Sequence, residues 1–316
     1  MRWGRLRPWI SVAVGMLVVG LGAWYVVSHW EDFTVLGRLD PLSLLGIVGT
    51  VIVYLVLGGV LLNTFLRRYS LVLPWYRWLG LYVTMSVGNI LAPLRGGTGM
   101  GAAYLRLAHG MKVSRFALVL LGTSVAAALV NAVLAMVGMG LSYARSGWFN
   151  LPAVIAAGLV LAAGGVTLII PNPAPSQRWG WKVVVKALNG WNALIQDRRL
   201  LAKVLLITLA LNLVHAGTFL LIYRALGLAV GPEVVLTIVS LGTVASMVAL
   251  TPASLGPYDA VLIALPTTFG LTVSEALAAL LVFRGAMLAT TLALAGPLSF
   301  TVWSPGSSGP PSSPDA

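Results

Sequence analysis

Residues 234–260 read VVLTIVSLGTVASMVALTPASLGPYDA. An apolar run, Val234–Leu250, is broken by Thr251-Pro252-Ala253-Ser254-Leu255-Gly256-Pro257, and a short apolar run with Asp259 near its start then resumes to Phe269. Two prolines and a glycine cannot continue a helix, because proline lacks the amide donor and clashes with the preceding turn. The surroundings give this break its meaning. Of 316 residues, 59% are hydrophobic and only 28 are formally charged, 20 Lys+Arg against 8 Asp+Glu. A soluble domain carries about 25% charged residues; this chain carries 9%, with a mean hydropathy of +0.94. So little polar side chain cannot cover a water-facing surface, which excludes a soluble globular protein and a disordered one. The reading is an all-α polytopic membrane protein with an interrupted segment.

Outward from the break, the other apolar runs fall in order. Ile10–Ser28 follows Arg2, Arg5 and Arg7 and ends in Trp24, Tyr25 and Trp30, an interfacial anchor of an uncleaved helix rather than a signal peptide. Leu42–Leu66, Ser114–Tyr143, Leu151–Pro171, Leu201–Tyr223 and Ser274–Val302 are each long enough to span. Thr272 and Glu275 fit a capping box opening the last. Leu79–Ala92 is short and runs into Pro93-Leu94-Arg95-Gly96-Gly97-Thr98-Gly99-Met100-Gly101, a cluster that a simple helix would not keep. Residues 172–200 are Pro-rich and then basic. Arg178, Lys182 and Lys186 recur every four residues, as in an amphipathic helix lying in the headgroups. Residues 1–303 thus read as one transmembrane domain, and 304–316 as a disordered Ser/Pro/Gly tail.

If both broken segments are re-entrant, six helices span and both termini are cytoplasmic. Sixteen of the 20 basic residues then fall inside, the asymmetry that orients membrane proteins. Counting both broken segments as full spans puts Arg106, Lys112 and Arg115 outside. The re-entrant reading also places the two hairpins in inverted orientation. Leu91-Ala92-Pro93 with Gly97 and Leu250-Thr251-Pro252 with Gly256 resemble each other weakly, as in inverted-repeat transporters. In a chain with 35 Gly and 17 Pro that spacing can also recur by chance.

Acids decide much of the chemistry. None occurs from Pro41 to Gln196, which excludes a two-carboxylate hydrolase or a metal site there. Arg284 lies ten residues into the last run, ~15 Å deep at 1.5 Å per residue. An unpaired arginine at that depth costs roughly 2.5–3.5 kcal/mol. Asp259 is the acid placed to pair with it, either flanking a substrate site or pinning a hairpin to the last helix.

The Pro93–Gly101 stretch, with Arg95 and Arg106, suits a phosphate headgroup through backbone N–H groups and positive charge. Gly88, Gly97 and Gly101 equally suit tight helix packing. His215 reads as a packed, hydrogen-bonded histidine. Asn89, Asn131 and Asn212 read as helix cross-links or cavity lining. No Ser/His/Asp set is recognisable, and the absence of cysteine removes thiolate metal sites and Cys nucleophiles.

Thr251 through Asp259-Ala260 resembles the Pro-x-x-x-Gly-x-x-Glu-Ala motif of the lysylphosphatidylglycerol synthase transmembrane, or flippase-like, family. Glu275 through Phe283-Arg284 is similar to the arginine-bearing helix start that follows it there. Asn89-Ile90-Leu91-Ala92-Pro93 through Tyr104-Leu105-Arg106 resembles the family's first motif. Asp259 stands where Glu is usual. Gly97-Thr98 and Gly101 replace the Gly-Glu and Arg of many members, and Thr123 through Ala127 lacks the charges often found on the following helix. The chain ends within 14 residues of its last helix, so the soluble aminoacyltransferase domain of bifunctional members is expected to be absent.

The resemblance implies binding or translocation of an anionic phospholipid or lipid phosphate, not aminoacylation. Asn89, Pro93, Arg95, Gly97, Arg106, Pro252, Gly256, Asp259 and Arg284 are the substrate-binding candidates. No cofactor, metal, catalytic set or nucleic-acid partner is expected. The bilayer of the inner or plasma membrane is the expected setting, and homo-oligomerisation is compatible with the reading. The alternatives are a membrane-embedded enzyme modifying a lipid headgroup and a non-transporting partner of a lipid synthase.

Overall fold

The computed structural model describes residues 37–91, 96–169, 194–247 and 256–303, together with residues 185, 189, 191 and 192. Among them the chain is all helix: α1 Pro41–Arg68, α2 Trp75–Leu91, α3 Gly96–His109, α4 Val113–Ser146, α5 Leu151–Ile169, α6 Arg198–Ala225, α7 Pro232–Ala245, α8 Pro257–Thr267 and α9 Val273–Trp303. Four described helices are long and apolar enough to cross a membrane: α1, α4, α6 and α9, the last over Val273–Ser299. The expected helix at Ile10–Ser28, most of the amphipathic segment and the tail lie outside the described residues.

Local chemistry sets the ends. Asp40 caps α1 by accepting from the Ser43 N–H at 2.8 Å, and Asp197 caps α6 by accepting from the Leu200 N–H at 3.0 Å. At the other ends, Ser70 and Gly227 both turn left-handed, with φ of 60° and 74°. Leu71 N–H donates to Leu66 O at 3.0 Å and Leu228 N–H to Tyr223 O at 2.8 Å, closing the same helix-ending motif. Glu275 and Thr272 form the expected capping box on α9.

These paired features recur 157 positions apart and expose an internal repeat. Residues 41–146 and 198–303 each contain a long helix, a pair of short helices and a second long helix, with lengths of 28, 17, 14 and 34 residues against 28, 14, 11 and 31. The packing obeys the same exchange. The long helix α1 lies on its own counterpart α6, α2 lies on α9 as α7 lies on α4, and the short pairs α2–α3 and α7–α8 each pack together. Gly46 faces Leu221, Thr50 Oγ1 lies 3.0 Å from Thr218 Oγ1, and Tyr54 meets His215, so α1 and α6 run antiparallel. The two units are therefore inverted.

The glycine cluster behaves differently from the expectation. Gly96–Met100 is not a loop but the first turns of α3. A Cβ on Gly97 would meet Met85 O and lie 2.5 Å from Asn89 N, and one on Gly88 would lie 2.5 Å from Gly97 Cα. Helix propensity loses here to close backbone packing, which only glycine permits.

Charge segregates by end. Arg67, Arg68, Arg77, Arg106, Lys112, Arg115, Arg198, Arg199 and Lys203 gather where α1 ends and α6 begins, against the single described acid Asp197. The opposite end holds Arg38, Arg145 and Arg224 with Asp40, Glu233 and Glu275. There Arg145 pairs with Glu233 at 2.8 Å, and Trp148 donates to Thr268 O at 3.0 Å while stacking on Phe269.

Candidate functional site

The site grows from the start of α8. Gly256, with φ of 112°, holds a conformation that a side chain would strain. Its N–H donates to Asp259 Oδ2 at 3.2 Å, fixing the carboxylate against the helix start. The other oxygen, Oδ1, accepts from Arg284 Nε at 3.0 Å and from Nη2 of the same guanidinium. Asp259 is only 7% exposed. Arg284 lies in the twelfth position of α9, ~17 Å from its start at 1.5 Å per residue. At that depth a lone guanidinium is costly, and the carboxylate removes most of the cost.

Aromatic groups continue the network. The Arg284 guanidinium lies 5.9 Å from the Tyr258 ring centre. The Tyr258 hydroxyl and His215 Nε2 share a hydrogen bond of 3.0 Å. The His215 ring sits among Tyr54, Phe219 and Phe283 at centroid distances of 5.1 to 5.5 Å. His215 is thus the packed, hydrogen-bonded histidine the sequence implied, and it also reaches a cavity.

That cavity, of about 490 Å³, opens between the two units. The first unit contributes Tyr54 from α1 and Tyr82, Ser86, Asn89 and Ile90 from α2. The second contributes His215, Thr243, Ser246, Tyr258 and, from α9, Phe283, Arg284, Met287 and Leu288. The volume falls in the range that holds small-molecule ligands.

Of the candidate residues, Arg284 and Asn89 share this cavity, with Asp259 and Gly256 supporting Arg284 from behind. Asn89 Oδ1 also accepts from Thr98 N–H at 2.9 Å and Thr98 Oγ1 at 3.2 Å, cross-linking α2 and α3. That bond occupies an N–H group the sequence offered to a phosphate. Gly97 is buried in the α2–α3 contact, and Arg106 is exposed in the last turn of α3, away from the cavity-lining residues. Pro93, Arg95 and Pro252 lie outside the described residues. Asn131 and Asn212 donate to carbonyls of their own helices.

Sequence reasoning missed Tyr54, Tyr82, Ser86, Thr243, Ser246 and Tyr258. The available signal was tyrosine in the middle of apolar runs, far from the interfacial belt where its hydroxyl would find water. Among the described residues, no three His, Asp or Glu side chains cluster as metal ligands.

A chain whose described residues are helical, with four helices of membrane length and apolar composition, is a multi-pass membrane protein. Residues 9–295 match the family described as the lysylphosphatidylglycerol synthase TM region, and the chain belongs to that family. No curated protein matches the chain.

Proposed function

We propose that the protein binds an anionic phospholipid, or a lipid carrying a phosphate headgroup, between its two helical hairpins and translocates it across the cell membrane. The observation that carries this is Arg284, held by Asp259 and lining a cavity between inverted units. A phosphate entering the cavity competes with Asp259 for the guanidinium. Arg284 offers a planar fork matched to phosphate oxygens. Asp259 then loses its partner and retains only the Gly256 N–H. Charge exchange of this kind gives the headgroup a cationic partner at mid-depth, while Asp259 keeps its bond at the start of α8.

The topology that goes with this reading has six spans and two re-entrant hairpins, α2–α3 and α7–α8. At 1.5 Å per residue these short helices reach only ~17–26 Å, less than the ~30 Å hydrocarbon core. The basic end faces the cytoplasm, with both termini on that side of the inner or plasma membrane. In liposomes, Arg284→Ala and Asp259→Asn are each expected to slow transfer of an anionic lipid between leaflets by tenfold or more. Transfer at the wild-type rate in both overturns the assignment.

An enzyme acting on a headgroup would draw its acid and base from Asp259 and His215. Both are engaged, by Arg284 with Gly256 and by Tyr258. A headgroup-modification assay on purified protein separates the two readings, and co-purification of a synthase from native membrane would identify a partner role.

A further inference from the structure

The basic end carries a second depression. Arg68, Gln196, Asp197, Arg198 and Arg199 line a polar cavity of about 480 Å³. It meets an apolar slot of about 150 Å³ between α1 and α4, whose walls include Phe65, Leu118, Val119, Leu194 and Leu200. Arg68 belongs to both. Neither shares a residue with the central cavity.

The lining holds three arginines and one carboxylate, a formal excess of two positive charges. Asp197 is already occupied. It caps α6 through Leu200 N–H and lies 3.4 Å from Arg68 Nε. The arginines therefore have little local acid to neutralise them.

The internal repeat supplies a control. Asp40 caps α1 as Asp197 caps α6, yet Pro41, Leu42 and Ala225 stand where Arg198, Arg199 and Arg68 stand. The same backbone forms at the other end of the molecule without any of the three arginines. The capped helix start itself therefore forms without arginines at these positions.

We propose that this compound pocket is a binding site for a glycerophospholipid whose headgroup carries two negative charges. The guanidiniums take the headgroup oxygens, and the start of an acyl chain lies in the slot between α1 and α4. The adjoining apolar slot favours a lipid over free phosphate, because a soluble anion gains nothing from it. On the proposed topology this basic pocket lies between helices at the cytoplasmic surface, where it has the charge to select such lipids from the inner leaflet. The site is separate from the central cavity, and its occupancy does not depend on Arg284.

Native mass spectrometry of the full-length protein titrated with phosphatidic acid tests this, with Arg284→Ala as the parent so that the central site is weakened. Retention of a bound phosphatidic acid in that parent is expected, in preference to phosphatidylcholine. Adding Arg198→Gln with Arg199→Gln weakens binding on the order of tenfold or more. Adding Arg198→Lys with Arg199→Lys, which keeps charge and topology, still weakens it several-fold by removing bidentate contacts. Leu118→Trp, which fills the slot, weakens phosphatidic acid but leaves the affinity for inorganic phosphate unchanged.

The proposal is overturned if the Lys variant binds like its parent, since the arginines then act through charge alone. It is also overturned if phosphatidylcholine binds equally well, or if inorganic phosphate displaces the lipid at equal concentration. Loss of lipid in the Arg284→Ala parent while wild type retains it assigns the lipid to the central cavity and sinks this site without touching the central one.

Discussion

In the hairpin of the first unit, Gly97 brings the α3 backbone onto Met85 and Asn89 of α2. In the second, Gly242 of α7 meets only side chains, Tyr258 and Leu262, at ordinary contact distance. The polar positions diverge as well. Thr98 and Asp259 both stand third in their helices, and Ser124 and Arg284 both stand twelfth. In the first unit these are hydroxyls that bond inward, Thr98 to Asn89 and Ser124 to Leu120 O. In the second they are a carboxylate and a guanidinium that face each other beside the cavity. One backbone plan thus serves two purposes. The first unit uses small residues to close its hairpin, and the second uses ions to build a site.

The largest test breaks the closure of the first hairpin. Gly97→Val forces a side chain into backbone atoms that cannot move aside, and a loss of more than ~3 kcal/mol, or failure to assemble, is expected. Gly99→Val, where a Cβ meets nothing within 4 Å, should be mild by comparison. Thermal unfolding in detergent compares them, and equal losses would remove the packing argument.

The next test makes the second unit resemble the first. Arg284→Ser alone strands a buried carboxylate and should cost about 3 kcal/mol. Combining it with Asp259→Thr should cost less than the sum of the single variants, because the stranded ion is gone. Strict additivity would mean that the pair contributes no coupling.

The smallest test runs the other way. Ser70 holds the left-handed turn that glycine holds at position 227. Ser70→Gly should stabilise by about 1 kcal/mol, and Gly227→Ser should destabilise by a similar amount.

The sequence exposed the breaks and the ion pair, for a physical reason. Proline and glycine inside apolar runs are local events, and with eight acids in the chain few carboxylates compete for a deep arginine. The helical glycine cluster was hidden because its cause is distant in space. Gly97 is helical on account of what α2 presents, which the sequence near residue 97 does not state. The cavity tyrosines were hidden because a mid-run tyrosine signals a buried hydroxyl but not which helices meet around it. The repeat was faint because the two units keep their caps and turns while most other side chains differ. Asp40 matches Asp197, and Arg67 matches Arg224, but the helices between them pack different residues.

Parity follows from the arrangement of α5. On the proposed topology each unit crosses the bilayer three times, once in its leading helix, Ile10–Ser28 or α5, and twice in its long helices, while the hairpin returns to the side it entered. Three is odd, so a tandem copy of the unit necessarily emerges upside down relative to the first. Removing α5 would leave an even count, and α6–α9 would thread in the opposite sense. Arg284 and Tyr54 would then no longer line a common space, although every helix that forms the cavity would still be present.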